Sequence, residues 1–97
     1  MSRIVLSRRA ERDLRRIGRG EQLGRLHEAL EGLAVGQANL DVKPLAGSAP
    51  WHRLRVGDYR VLYRAVEPEE AGDSDARFLV ARVVARRDLE RAVATLG

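Results

Sequence analysis

Apolar positions in the first third of the chain recur at helical spacing, and those in the second half alternate. Residues 3–6, centred on Ile4-Val5-Leu6, predict a short first strand. Ser7 then offers a hydroxyl to a free N–H at a helix start. Ala10, Leu14 and Ile17 follow as one narrow apolar stripe, and Gly18-Arg19-Gly20 ends that helix. Leu23, Leu26, Leu30 and Leu33 make a second stripe, so the two helices read as an αα-hairpin. Residues 36–50, with Gly36, Asn39, Asp41, Pro44, Gly47, Ser48 and Pro50, read as a connecting loop pinned by Val42 and Leu45.

The period then changes to two. Trp51-His52-Arg53-Leu54-Arg55-Val56 and Tyr59-Arg60-Val61-Leu62-Tyr63-Arg64 flank Gly57-Asp58. Gly at the first central position of a two-residue turn takes φ > 0 without strain, which predicts a tight hairpin. Its register places Val56 opposite Tyr59, Arg55 opposite Arg60, Leu54 opposite Val61 and Arg53 opposite Leu62. Leu54, Val56, Tyr59, Val61 and Tyr63 then share the core face, with His52 among them. Arg53, Arg55, Arg60 and Arg64 share the other face. Residues 67–75, acidic and without one basic residue, read as an exposed, mobile loop. Residues 77–84 form the third strand of a meander, apolar in both registers except at Arg82, to which alternation assigns no face. Arg86-Arg87-Asp88 closes it. Leu89, Val93 and Leu96 mark a short terminal helix. The expected architecture is α+β in one domain, residues 1–97. An N-terminal strand and αα-hairpin pack on one face of an antiparallel sheet, a short helix ends the chain, and the second sheet face is lined with arginine.

Ninety-seven residues suffice for one modest core. No apolar run approaches the roughly 18 residues of a membrane span, and the start lacks the apolar segment of a signal peptide. Without cysteine there is neither a disulfide framework nor a thiolate metal site. These features lead to the expectation of a cytoplasmic protein without membrane contact, cofactor or metal. His27 has no second histidine or acid at metal-ligand spacing.

Charge changes the picture. The net charge is +4, and arginine outnumbers lysine seventeen to one. A GC-rich genome explains such a ratio as readily as phosphate recognition does, but it does not explain where the arginines sit. The hairpin sets Arg55 against Arg60, and like charges directly opposite in a sheet are destabilising. Either acids from elsewhere in the chain meet these arginines, or the face receives a polyanion whose phosphates relieve the repulsion. The first helix adds Arg8, Arg9, Arg12, Arg15, Arg16 and Arg19, with Glu11–Arg15 and Asp13–Arg16 at pairing distance along it. Arg12 and Arg16 are its candidate RNA contacts.

Lys43-Pro44-Leu45-Ala46-Gly47-Ser48 and the run from Trp51 to Arg64 resemble the core of the RelE/ParE superfamily, the small toxins of type II toxin–antitoxin modules. Val83-Val84-Ala85-Arg86-Arg87-Asp88 resembles that family's strand ending, and Ile4 to Leu14 its opening strand and helix. The resemblance implies a RelE-like fold and a cognate antitoxin as partner. In the favoured RelE branch it implies an endoribonuclease that blocks translation by cutting messenger RNA on the ribosome without a metal. Arg53, Arg60 and Arg87 match the family's basic site positions. Arg55, Arg64 and Arg86 join them as candidate RNA contacts. The family's histidine and tyrosine positions hold Ala85 and Glu90 here, which leaves Glu90 as the candidate for proton transfer. That departure keeps two alternatives open: a ParE-like inhibitor of DNA gyrase, and a non-catalytic chain that only binds antitoxin or RNA.

Overall fold

The computed structural model describes residues 3–96. In chain order the elements are β1 (Ile4–Leu6), α1 (Arg8–Ile17), α2 (Glu21–Ala34), β2 (Asp41–Pro44), β3 (His52–Val56), β4 (Tyr59–Ala65), α3 (Pro68–Ala71), β5 (Phe78–Ala85), a 3-10 turn (Arg86–Asp88) and α4 (Leu89–Val93). The strands form one sheet in the order β1-β5-β4-β3-β2. This is the α+β arrangement expected from the sequence, and the hairpin register agrees pair for pair, from Arg53 opposite Leu62 to Val56 opposite Tyr59. Gly57 has φ +57°, as the turn requires.

The sheet differs from a three-strand meander at both edges. β1 runs parallel to β5, pairing Ile4 with Phe78 and Leu6 with Val80. The segment expected to be loop supplies β2, antiparallel to β3, with Asp41 opposite Arg55 and Pro44 opposite His52. Four residues with Pro44 among them give little strand signal, yet proline is tolerated on an edge strand. The acidic segment is also more ordered than expected. Pro68 opens α3, and Glu67 and Glu70 cap it reciprocally, each carboxylate meeting the other residue's backbone N–H.

Two cores lie on opposite sides of the sheet. Under α1 and α2, Ala10, Leu14, Leu26, Leu30 and Leu33 pack on Leu54, Val61, Tyr63, Val80 and Val83. Ser7 caps α1 as predicted, accepting from Ala10 N–H at 3.1 Å. The second face was expected to be an arginine-lined surface with the helices on the other side, and it is partly covered instead. α4 lies over part of it, and Leu62, Val84 and Ala92 are buried there with Leu45, Leu89, Val93 and Leu96 packed around them. Leu62 sits in the same alternating set as the arginines, so only the apolar stripe of α4 signals its cover. Burying such a side chain is worth about 1.5–3 kcal/mol, which anchors α4 across the sheet.

β5 contains the irregularity that alternation could not resolve. Leu62 pairs with Arg82 but Tyr63 pairs with Val80, so Ala81 is an extra residue in β5. The Ser7 hydroxyl donates to the Ala81 carbonyl at 2.8 Å, and Ser7 N–H donates to Val80 O at 2.9 Å. Arg82 is thereby turned onto Asp13 of α1. That carboxylate accepts from Arg82 Nε at 2.9 Å, Arg82 Nη2 at 3.1 Å and Val83 N–H at 2.8 Å. Asp13 therefore does not pair with Arg16, and no Glu11–Arg15 ion pair forms among the described residues.

Candidate nucleic-acid interface

Two rows of side chains cross the arginine face. One runs Asp41, Arg55, Arg60, Val84 over β2, β3, β4 and β5. The next runs Lys43, Arg53 and Leu62 over β2, β3 and β4 and stops there, because Arg82, opposite Leu62, turns away to Asp13. The second residue after each row member lies on the same face, so Arg53 neighbours Arg55 along β3 and Arg64 extends the face beyond Leu62.

Each arginine has a different partner. Arg53 Nη1 donates to Asp41 Oδ1 at 3.0 Å and to the Asp41 carbonyl at 3.1 Å. Arg55 Nη1 lies 3.9 Å from Asp41 Oδ2. The hydrogen bond from Arg53 holds the Asp41 carboxyl below its ordinary range, helped by the charges of Arg53, Arg55 and Lys43. Arg64 grips Glu70 at two points, 2.8 and 2.9 Å, and its guanidinium lies 5.8 Å from the centre of the Trp51 ring. Acids from elsewhere in the chain thus meet part of the arginine face. Asp41 carries no direct sign of this role in the sequence, because its short strand has no periodic signal. Glu70 was equally hidden, because residues 67–75 read as an exposed loop and only the helical turn α3 brings its carboxylate to Arg64.

Arg60 is the exception. Its Nη1 donates to the Gly57 carbonyl at 2.9 Å and to its neighbour Tyr59's carbonyl at 3.0 Å, and it meets no carboxylate within 4 Å among the described residues. Partial burial lowers its pKa, and the charges of Arg55, Arg53 and Arg86 lower it further. Arg86 is fixed beside the hairpin by its backbone N–H, which donates to Asp58 O at 2.8 Å. Arg55, Arg60 and Arg86 therefore converge near the hairpin tip with Arg53 next to them.

The remaining candidates lie apart from that convergence. Arg87 and Glu90 are exposed on the 3-10 turn and α4, and no ion pair joins either to the arginine rows among the described residues. Arg86, not Arg87, is the turn residue whose charge reaches Arg60. Arg12 and Arg16 are exposed on α1, the helix over the first core. Arg16 lines a cleft of about 470 Å³ with Arg9, Tyr59, Arg82, Asp88 and Arg91. His52 is on the core side, stacked on Tyr63 at 5.6 Å, with Nδ1 3.1 Å from Pro50 O. The arginine face can stabilise negative charge, but neither His52 nor Tyr59 nor Tyr63 stands on it to move a proton.

This fold is shared with solved toxin structures. The toxin–antitoxin complex RelB-RelE from Methanococcus jannaschii superposes with a TM-score of 0.66 at 22% identity, over 91% of this chain and 96% of that one. The archaeal RelE-RelB complex from Pyrococcus horikoshii OT3 gives 0.62 at 22% identity, over 87% and 93%. Fold and sequence together define a small toxin of the RelE/ParE superfamily. The family described as the ParE toxin of type II toxin–antitoxin systems matches residues 4–90, and the chain belongs to it. No curated protein matches the chain in sequence.

Proposed function

We propose that this toxin blocks translation by cutting messenger RNA on the ribosome, and that a cognate antitoxin holds it inactive. The single observation that carries this reading is Arg60. It is a partly buried guanidinium without a carboxylate, flanked by Arg55 and Arg86, on a surface that repels itself until an anion arrives. In metal-independent cleavage the ribose 2′-OH attacks the adjacent phosphate, and the new negative charge on the non-bridging oxygens needs donors at about 3 Å. Arg60 takes that role, with Arg55 and Arg86 beside it and Arg53 behind Asp41. Arg87 and Glu90 reach the RNA from the 3-10 turn and α4, with Glu90 the candidate for proton transfer. Arg12 and Arg16 of α1 and Arg64 of β4 serve as outlying contacts to the larger polyanion, and the cytoplasm is where the chain acts. An antitoxin as partner is supported by the two similar folds, both solved as toxin–antitoxin complexes.

Two observations favour a second reading, inhibition of DNA gyrase. The matched family is that of the ParE toxin, and the arginine face carries no histidine or tyrosine. Induction of the toxin alone, followed by primer extension on cellular messenger RNA and a gyrase supercoiling assay, separates the two. Growth arrest with new messenger RNA ends inside codons and unchanged supercoiling supports the first. Intact messenger RNA with accumulated gyrase cleavage complexes replaces it with the second.

A further inference from the structure

Asp41 stands at one end of the arginine row and holds it unequally. Its carboxylate is bonded to Arg53 at 3.0 Å but is 3.9 Å from Arg55, and Arg60 lies beyond both. The Arg53 side chain is only 16% exposed while that of Asp41 is 46% exposed. A phosphate approaching Arg53 therefore meets Asp41 first. A carboxylate and a phosphate oxygen bind a guanidinium through the same donors, so the two compete for it. Asp41 sits on the edge strand β2, with no strand among the described residues on its outer side to hold it against displacement.

We propose that Asp41 is a built-in counter-ion that competes with the polyanion for Arg53 and confines the phosphate seat to Arg55, Arg60 and Arg86. This rests on the reading that the arginine face meets RNA, and it adds to that reading a residue that limits how strongly the face binds. Asp41 lies next to the site without being part of its binding donors. With its charge in place, the row presents one fewer free cation, and the face does not hold every polyanion it meets. With its charge removed, Arg53 becomes available and one more phosphate is neutralised.

The test is binding of a fluorescein-labelled, ten-nucleotide, fully 2′-O-methylated RNA, which lacks the attacking hydroxyl and so reports binding alone. Fluorescence anisotropy is followed from 50 to 400 mM KCl. Each additional neutralised phosphate on a single strand steepens the plot of log affinity against log salt by about 0.7, or roughly fivefold tighter binding at 0.1 M. Asp41→Asn and Asp41→Ser should both show that change, and the double variant Asp41→Asn with Arg53→Gln should return to the wild-type slope. Thermal melts confirm that the variants fold. An Asp41→Asn slope equal to the wild type, or weaker binding by a folded variant, overturns the inference, because Asp41 would then only position the arginines. If Arg60→Ala still weakens binding in that case, the reading of the face survives. If Arg60→Ala binds as the wild type does, both fall.

Discussion

Asp13 of α1 and Arg82 of β5 form a two-point ion pair at 2.9 and 3.1 Å across 69 residues of sequence. β1 pairs with β5 only as far as Val80, so among the described residues the outer edge of β5 beyond that point has no neighbouring strand. Open edges invite pairing with other chains. Asp13 closes this one, since the same carboxylate also accepts the Val83 N–H at 2.8 Å. The Asp13 hydrogen bond raises the pKa of Arg82, which stays charged. Asp13→Ala leaves a largely buried guanidinium and a backbone N–H without their acceptor. The expected loss is about 3–5 kcal/mol, which is a large part of what holds a domain of this size. Urea unfolding of Asp13→Ala measures it, and a loss below about 1 kcal/mol would remove the structural role given to the pair.

Arg55 and Arg60 face each other in the hairpin, with Asp41 too distant from Arg55 to neutralise it well. Arg55→Thr removes the opposition and places a β-branched residue in a strand. The fold should gain about 0.2–1 kcal/mol, more at low salt than at high salt, because exposed charges are screened. Chemical denaturation at 20 and 500 mM salt checks both the sign and the trend. Equal or lower stability at low salt would mean that the arginines already splay apart at no cost.

The hairpin and its register were legible because Gly57-Asp58 fixes a two-residue turn and alternation then assigns every side chain. Legibility failed where period and strand part company. Ala81 shifts the phase of β5, so nothing in the sequence tells which face Arg82 takes. β2 is four residues ending in proline, and α3 is a single turn. Both are held by contacts with other strands and side chains, so neither shows in periodicity. For the same reason the arginines were visible as a face, while Asp41 and Glu70, which neutralise parts of it, were not. Arg86 and Arg87 are adjacent in sequence, and only the bond from Arg86 N–H to Asp58 O singles out the former as the neighbour of Arg60.

The Arg64–Glu70 pair gives a prediction in pH. The hydrogen bond from Arg64, with one from the Glu67 backbone, pulls the Glu70 carboxyl down to about 2 from the ordinary value of 4.5. A carboxyl whose folded pKa is depressed stabilises the fold fully above its unfolded pKa. That contribution is lost as pH falls from about 4.5 toward about 2. Carboxyl carbon shifts followed by NMR should show Glu70 titrating near 2. In Arg64→Gln the midpoint should rise toward the ordinary glutamate value. A wild-type midpoint near 4.5 would show that the pair is not held in solution.

The central claim is that Arg60 holds developing charge on a phosphate, and its direct measurement is the cleavage rate of ribosome-bound messenger RNA by the wild type and by Arg60→Ala. Losing a charge-stabilising donor costs about 3 kcal/mol, so the rate should fall roughly a hundredfold with the fold intact. Arg60→Lys should recover only part of it, since a point charge lacks the two-pronged geometry of a guanidinium. Cleavage by Arg60→Ala at the wild-type rate, or no cleavage by the wild type while gyrase is poisoned, would contradict the account.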